Sequence, residues 1–225
     1  MMWSLWYTVF GCAEVEANGS ANDDSKSVNM FEVSIDQFEN DGLKSDVFEM
    51  ALKAFEKANS TGLTDKTVYT IIDFRMHSKE KRLWTVDLAT GEVLFNEVTT
   101  HGRHSDLDHN GYLDSVSNTP RSKQTSVGLY RTAEVYTGSH GMSLRLDGLE
   151  EGFNDNARQR DIVIHGADYA GDSFIQKHGR AGRSLGCPAV SNGVSDALIV
   201  TIKEGSLLFV YAQNDEWLKE SNFLQ

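Results

Sequence analysis

The chain has little proline, little cysteine and a shortage of positive charge. Two prolines among 225 residues leave no Pro-rich segment. Two cysteines, Cys12 and Cys187, exclude a disulfide-stapled scaffold and a four-cysteine zinc site. Lys and Arg number 21 against 33 Asp and Glu, a net charge of −12. That balance excludes a general nucleic-acid binder, which needs a basic face to displace counterions. It equally excludes a polybasic membrane-surface protein. No apolar run approaches the roughly 20 residues that a membrane helix needs. What is present is enough for one sizeable core: 40% of residues are hydrophobic and 10% aromatic. The length fits one domain with an appendage.

The acidity is concentrated at the start. Residues 1–65 hold 12 acids and 4 bases. Residues 1–12 are apolar and end Val9-Phe10-Gly11-Cys12, which resembles the end of a bacterial lipoprotein signal. An acidic, Asn/Ser/Gly-rich tether follows. Residues 1–40 are therefore expected to be a signal or lipoprotein-like segment with its tether. A lipidated Cys12 would anchor an exported, envelope protein to a membrane.

Residues 41–65 carry a helix expected to pack on the domain after it. Val47, Phe48, Ala51, Leu52 and Phe55 fall on one face, Ser45 is the expected cap, and Thr61-Gly62 the stop. From residue 66 the periodicity is that of strands. Segments 82–88 and 92–98 flank Ala89-Thr90-Gly91 as a hairpin, and 128–136 and 142–146 form another around residues 137–141. Residues 161–165 and 206–211 read as short apolar strands, with a helix over 194–203 between them. Residues 66–225 are thus expected to form a mainly β (β-rich α+β) sandwich or barrel with peripheral helices.

The chemistry gathers near Cys187. His165 and Gly166 end a strand, and Arg183-Ser184-Leu185-Gly186-Cys187-Pro188 forms a Gly-containing loop. A thiolate is the attacking form of cysteine, and a nearby imidazole favours it. A glycine before the nucleophile lets backbone N–H groups face a reacting carbonyl. Residues 158–183 hold five bases and three acids, a basic patch in an acidic protein.

These blocks resemble the signature of L,D-transpeptidase (YkuD-like) catalytic domains, a His followed after a spacer by Ser/Thr-x-Gly-Cys. Tyr136-x-Gly138, residues 141–150, Asn154-Asp155-Asn156-Ala157 and residues 182–189 are similar to the murein L,D-transpeptidase catalytic domain branch. The resemblance covers about residues 66–212. Leu185 departs from the wider family, where His or Arg is common. The resemblance implies an L,D-transpeptidase-like fold and a cysteine acyltransferase acting on peptidoglycan stem peptides through a thioester. Cys187 would be the nucleophile and His165 its base, oriented by the carbonyl of Gly166. The N–H groups of Gly186 and Cys187, with the Ser184 hydroxyl, would hold the oxyanion. Arg183, His101 and Tyr169 are the candidate substrate contacts. No cofactor is required. The alternatives are an L,D-carboxypeptidase using the same pair and a non-catalytic, calcium-stabilised wall-binding module.

A second constellation is independent of these. Asp106, Asp108, Asn110 and Asp114 match the first positions of a calcium loop, D-x-D-x-N-G-x-x-D, with Gly111 at the turn. A structural Ca²⁺ is the expectation, although Ser117 stands where a bidentate Glu is usual. His101, His104 and His109 with Cys187 match no zinc spacing.

Overall fold

The computed structural model describes residues 42–225. The candidate signal segment, the tether and Cys12 lie outside the described residues. Among the described residues no helix is long and apolar enough to cross a membrane.

Helix α1 spans Ser45–Ser60. Its apolar spacing of three and four buries Val47, Phe48, Ala51, Ala54, Phe55 and Ala58 on one side. Ser45 does not cap it. Lys44 stands at the N-cap with no side-chain bond. Instead Asp46 favours the first turn, accepting from the Val47 N–H at 2.9 Å and pairing with Arg75 at 2.7 Å. At the other end Gly62 adopts a φ of 76°, and the N–H groups of Gly62 and Leu63 return to Asn59 and Ala58. The helix lies on the sheet through Tyr69, whose hydroxyl donates to the Ala51 carbonyl at 2.8 Å.

Eight strands follow: β1 Val68–Asp73, β2 Lys81–Asp87, β3 Glu92–Val98, β4 Gly128–Gly138, β5 Gly141–Gly148, β6 Val163–Gly166, β7 Ala189–Val190 and β8 Leu207–Tyr211. They join in one sheet of order β3-β2-β1-β8-β4-β5-β6-β7. The pairs β1·β8 and β6·β7 are parallel and the rest antiparallel. Both expected hairpins form, as β2–β3 and β4–β5. The mainly β architecture with peripheral helices is the one the sequence led us to expect.

Strand β8 is buried along its whole length, as suits a central strand. Helix α3, Asn192–Ile202, packs Leu198, Ile199 and Ile202 onto β6, β5 and β1. Each such fully buried side chain contributes about 1.5–3 kcal/mol. Two short helices, α2 Asp172–His178 and α4 Asp215–Glu220, were not expected. Asn214 caps α4 by accepting from the Trp217 N–H. Trp217 is fully buried, and its indole N–H donates to the buried Glu150 at 2.9 Å. That carboxylate also accepts from the Leu129 N–H, so it joins α4 to the β4–β5 hairpin.

Candidate active site

The parallel pairing of β6 and β7 sets the site. His165 lies opposite Ala189 and Gly166 opposite Val190. Cys187 stands two residues before Ala189, so the register carries its loop to the end of β6 where His165 sits. Residues 99–102 close the far side. Thr100 N–H donates to the Ala189 carbonyl, Thr100 Oγ1 donates to the Cys187 carbonyl, and Gly102 bridges Ser184.

His165, Cys187, Ser184, Tyr169 and Arg183 line one cleft of about 510 Å³. His165 is buried, and its Nδ1 donates to the Gly166 carbonyl at 2.9 Å. A carbonyl only accepts, so the proton is on Nδ1 and Nε2 carries a lone pair. Burial pushes the imidazole's pKa below its ordinary value, and His140 adds to this. Cys187 is a free thiol, partly exposed. Burial pushes its pKa up, against smaller opposing effects of the Val163 backbone N–H and the Arg160 charge. The thiol donates to the Asp161 carbonyl at 3.5 Å rather than to His165.

The loop before Cys187 is more committed than the sequence suggested. Ser184 Oγ donates to the Cys187 carbonyl at 2.7 Å and accepts from the Gly186 N–H at 3.0 Å. Ser184 therefore holds the loop's own backbone and does not face an oxyanion. The Gly186 N–H is likewise consumed, which corrects the expectation that it stabilises one. The Cys187 N–H has no acceptor among the described residues and remains available. Gly186 is needed for a different reason. Its φ is 126°, and a Cβ there would lie 2.7 Å from the Gln124 carbonyl oxygen.

Of the expected substrate contacts, Tyr169 and Arg183 reach the cleft. Burial raises the Tyr169 phenol to about 12, so it stays neutral. Arg183 Nη1 donates to the carbonyls of Arg103 and Asp106. His101 does not reach the cleft. It is 0% exposed and lies beneath the loop. Arg82 donates to its Nδ1 at 3.0 Å, and its Nε2 donates to Asp106 at 3.2 Å. Burial and the Arg82 charge lower its pKa to about 4, so it is neutral and structural.

The cleft also takes in His140, Arg103 and Arg160, which had no role assigned from sequence, and Tyr136, which was marked only as part of a family motif. His140, at the tip of the β4–β5 hairpin, stacks on His165 with ring centres 4.4 Å apart. The β5–β6 register, with Ser143 opposite His165, brings that tip over the site. His178 packs against Phe174 with ring centres 4.2 Å apart and lies outside the cleft lining.

Among the described residues the grouping of possible metal ligands is Asp106, Asp108 and Asp114, with one oxygen of each within 4.8 Å of the others. The side-chain oxygen of Asn110 accepts from the Tyr112 N–H at 2.8 Å. Asp106 is buried and accepts from His101 and from the N–H groups of Asn110 and Gly111. Burial opposes ionisation, but those bonds outweigh it and hold the carboxyl below its ordinary value. Ser117, at the loop's twelfth position, supplies no carboxylate. The fit to Ca²⁺ is partial.

No curated protein matches the chain. Several solved structures are similar to it at low identity. An L,D-transpeptidase from Mycobacterium smegmatis is 14% identical, over 65% of this chain and 59% of that one, with a TM-score of 0.39. The helical cell shape determining protein Pgp2 from Campylobacter jejuni is 13% identical, over 74% and 55%, with a TM-score of 0.44. An L,D-transpeptidase from Stackebrandtia nassauensis is 15% identical, over 74% and 68%, with a TM-score of 0.37. The chain thus spans under two thirds of the first two. The family described as L,D-transpeptidase catalytic domain matches residues 39–211, more than half of the sequence. The chain belongs to the L,D-transpeptidase catalytic domain family.

Proposed function

We propose that the protein is a cysteine-dependent L,D-transpeptidase of the cell envelope, acting on peptidoglycan stem peptides. The observation that carries this reading is the meeting of Cys187 and His165 in one cleft, within a chain of this family. The resting pair is a neutral thiol and a neutral imidazole, because burial disfavours both charged forms. As Cys187 Sγ bonds to the donor carbonyl carbon, Nε2 of His165 takes the thiol proton. The present Cys187–Asp161 bond gives way, and the Cys–His contact tightens once substrate is bound. The Cys187 N–H is the backbone donor free to meet the developing oxyanion, a contribution of about 10²–10³ in rate. The C–N bond to the terminal D-residue breaks, its amine receives the proton from His165, and a thioester remains. An amine of a second stem then attacks the thioester and takes the acyl group, returning the thiol.

Product analysis of isolated muropeptides tests this. Crosslinked dimers formed by the wild type and absent with Cys187→Ala support the reading. Trimmed stems alone would make the enzyme a carboxypeptidase, and dimers from Cys187→Ala would contradict the mechanism.

A further inference from the structure

A second groove adjoins the nucleophile's cleft. It holds about 670 Å³, within the range of ligand sites, and shares Arg160, Asp161 and Leu185 with the cleft. Its other wall is the turn at residues 119–124, which contributes Arg121 and Lys123. The charges there are one-sided. Arg121 and Lys123 enter no ion pair or side-chain hydrogen bond among the described residues. Arg160 is half-buried, yet all four of its partners are neutral oxygens: the Ser117 and Gln124 carbonyls and the Ser122 and Ser126 hydroxyls. Asp161, the groove's one carboxylate, is already paired with Arg145 at 3.3 Å. Three cations therefore face a groove with no free anion, in a chain whose net charge is −12.

The turn is also held firmly. Arg121 and Lys123 both adopt a positive φ, 64° and 60°, which costs about 1–3 kcal/mol each in non-glycine residues. That conformation is fixed by His104, whose N–H donates to the Lys123 carbonyl and whose Nδ1 donates to the Ser122 carbonyl. Arg160 ties the same turn to the residues before β6. The cations are displayed on a braced support.

We infer that this groove is a subsite for a carboxylate-bearing arm of the peptide whose carbonyl lies at Cys187. The inference rests on the transpeptidase reading and adds to it a substrate class: stems with free, not amidated, side-arm carboxylates. A guanidinium meets a carboxylate with paired, charge-assisted hydrogen bonds, whereas an amide offers one acceptor and no charge. A peptide passing over Leu185, 60% exposed at the shared wall, connects the two spaces.

The test uses the full chain and two synthetic donor peptides, identical except that one carries free side-arm carboxylates and the other amides. Release of the terminal D-residue gives kcat/KM for each. The wild type should prefer the free acid about tenfold, a size that fits two or three exposed ion pairs. In R121Q/K123Q that preference should collapse towards unity. Neither side chain bonds to the rest of the fold, so the variant should melt with the wild type. Turnover of both peptides without preference, or a preference that survives in the variant, overturns the subsite alone. No release from either peptide by the wild type overturns the transpeptidase reading and the subsite with it.

Discussion

Nδ1 of His165 donates to the carbonyl of Gly166 at 2.9 Å, and this single bond decides which ring nitrogen is free to take a proton. Nε2 is left with the lone pair, and in the proposed mechanism it serves as base only while the ring is neutral.

The pH dependence follows. Burial, with His140 stacked 4.4 Å away, places the His165 pKa below 6.5. The acid limb of kcat/KM should therefore lie below pH 6.5, because the neutral base persists to lower pH. His140→Ala opens the His165 ring to water and removes the electrostatic influence of its stacked neighbour. Both effects raise the His165 pKa, so the acid limb should move up. An unmoved or lowered limb would show that the stack does not set the base.

Ser184 and Gly186 act on the loop, not on the substrate. Ser184→Ala removes the bond to the Cys187 carbonyl and leaves the Gly186 N–H without its partner, at about 1–3 kcal/mol of stability. Gly186→Ala forces a side chain into a φ of 126° and against the Gln124 carbonyl. Both variants should lower kcat at least about tenfold through misplacement of the sulfur. Thermal denaturation and steady-state kinetics check this. Full activity in Ser184→Ala would contradict the anchoring role.

His101 predicts an acid sensitivity of the fold. Its pKa is about 4 when folded against 6.5 as a free side chain. The unfolded chain binds the proton first, so stability is fully present above pH 6.5 and is lost as pH falls from 6.5 towards 4. The loss is of order 3 kcal/mol at most. The fall in Tm across that window should be shallower in His101→Gln than in the wild type. Equal slopes would place the acid sensitivity elsewhere.

The Asp106–Asp114 loop gives a metal test. Burial and the charges of Asp108 and Asp106 raise the Asp114 pKa, the signature of carboxylates crowded together. Calcium at millimolar concentration should raise the wild-type Tm, and Asp108→Asn with Asp114→Asn should abolish the rise. An unchanged wild-type Tm would reduce the loop to a polar turn.

Much of the fold was legible because it is encoded locally. The hydrophobic face of α1 and the two hairpins follow from periods of 3.6 and 2 within short windows. Helix α4 was not legible: it has six residues, and its Trp217 is fixed by Glu150, far away in sequence. Cys187 and His165 were visible as residue types beside glycine, and the β6–β7 register explains why they line one cleft. His101 was misjudged for the opposite reason. Its surroundings are Arg82 and Asp106, and no local pattern shows that one lies behind it and the other below. The same holds for the Gly186 N–H, which is spent on Ser184 once the loop closes. Arg160 stood in plain view in a basic stretch, but only its four neutral partners mark it as unusual.

The central claim is that Cys187 carries the acyl group. Intact-protein mass spectrometry after brief mixing with a donor stem peptide reads this directly. The wild type should gain the mass of the donor acyl group, map it to Cys187, and lose it to hydroxylamine. Cys187→Ala should gain nothing. Crosslink formation without such an adduct, or an adduct that persists in Cys187→Ala, would contradict the account.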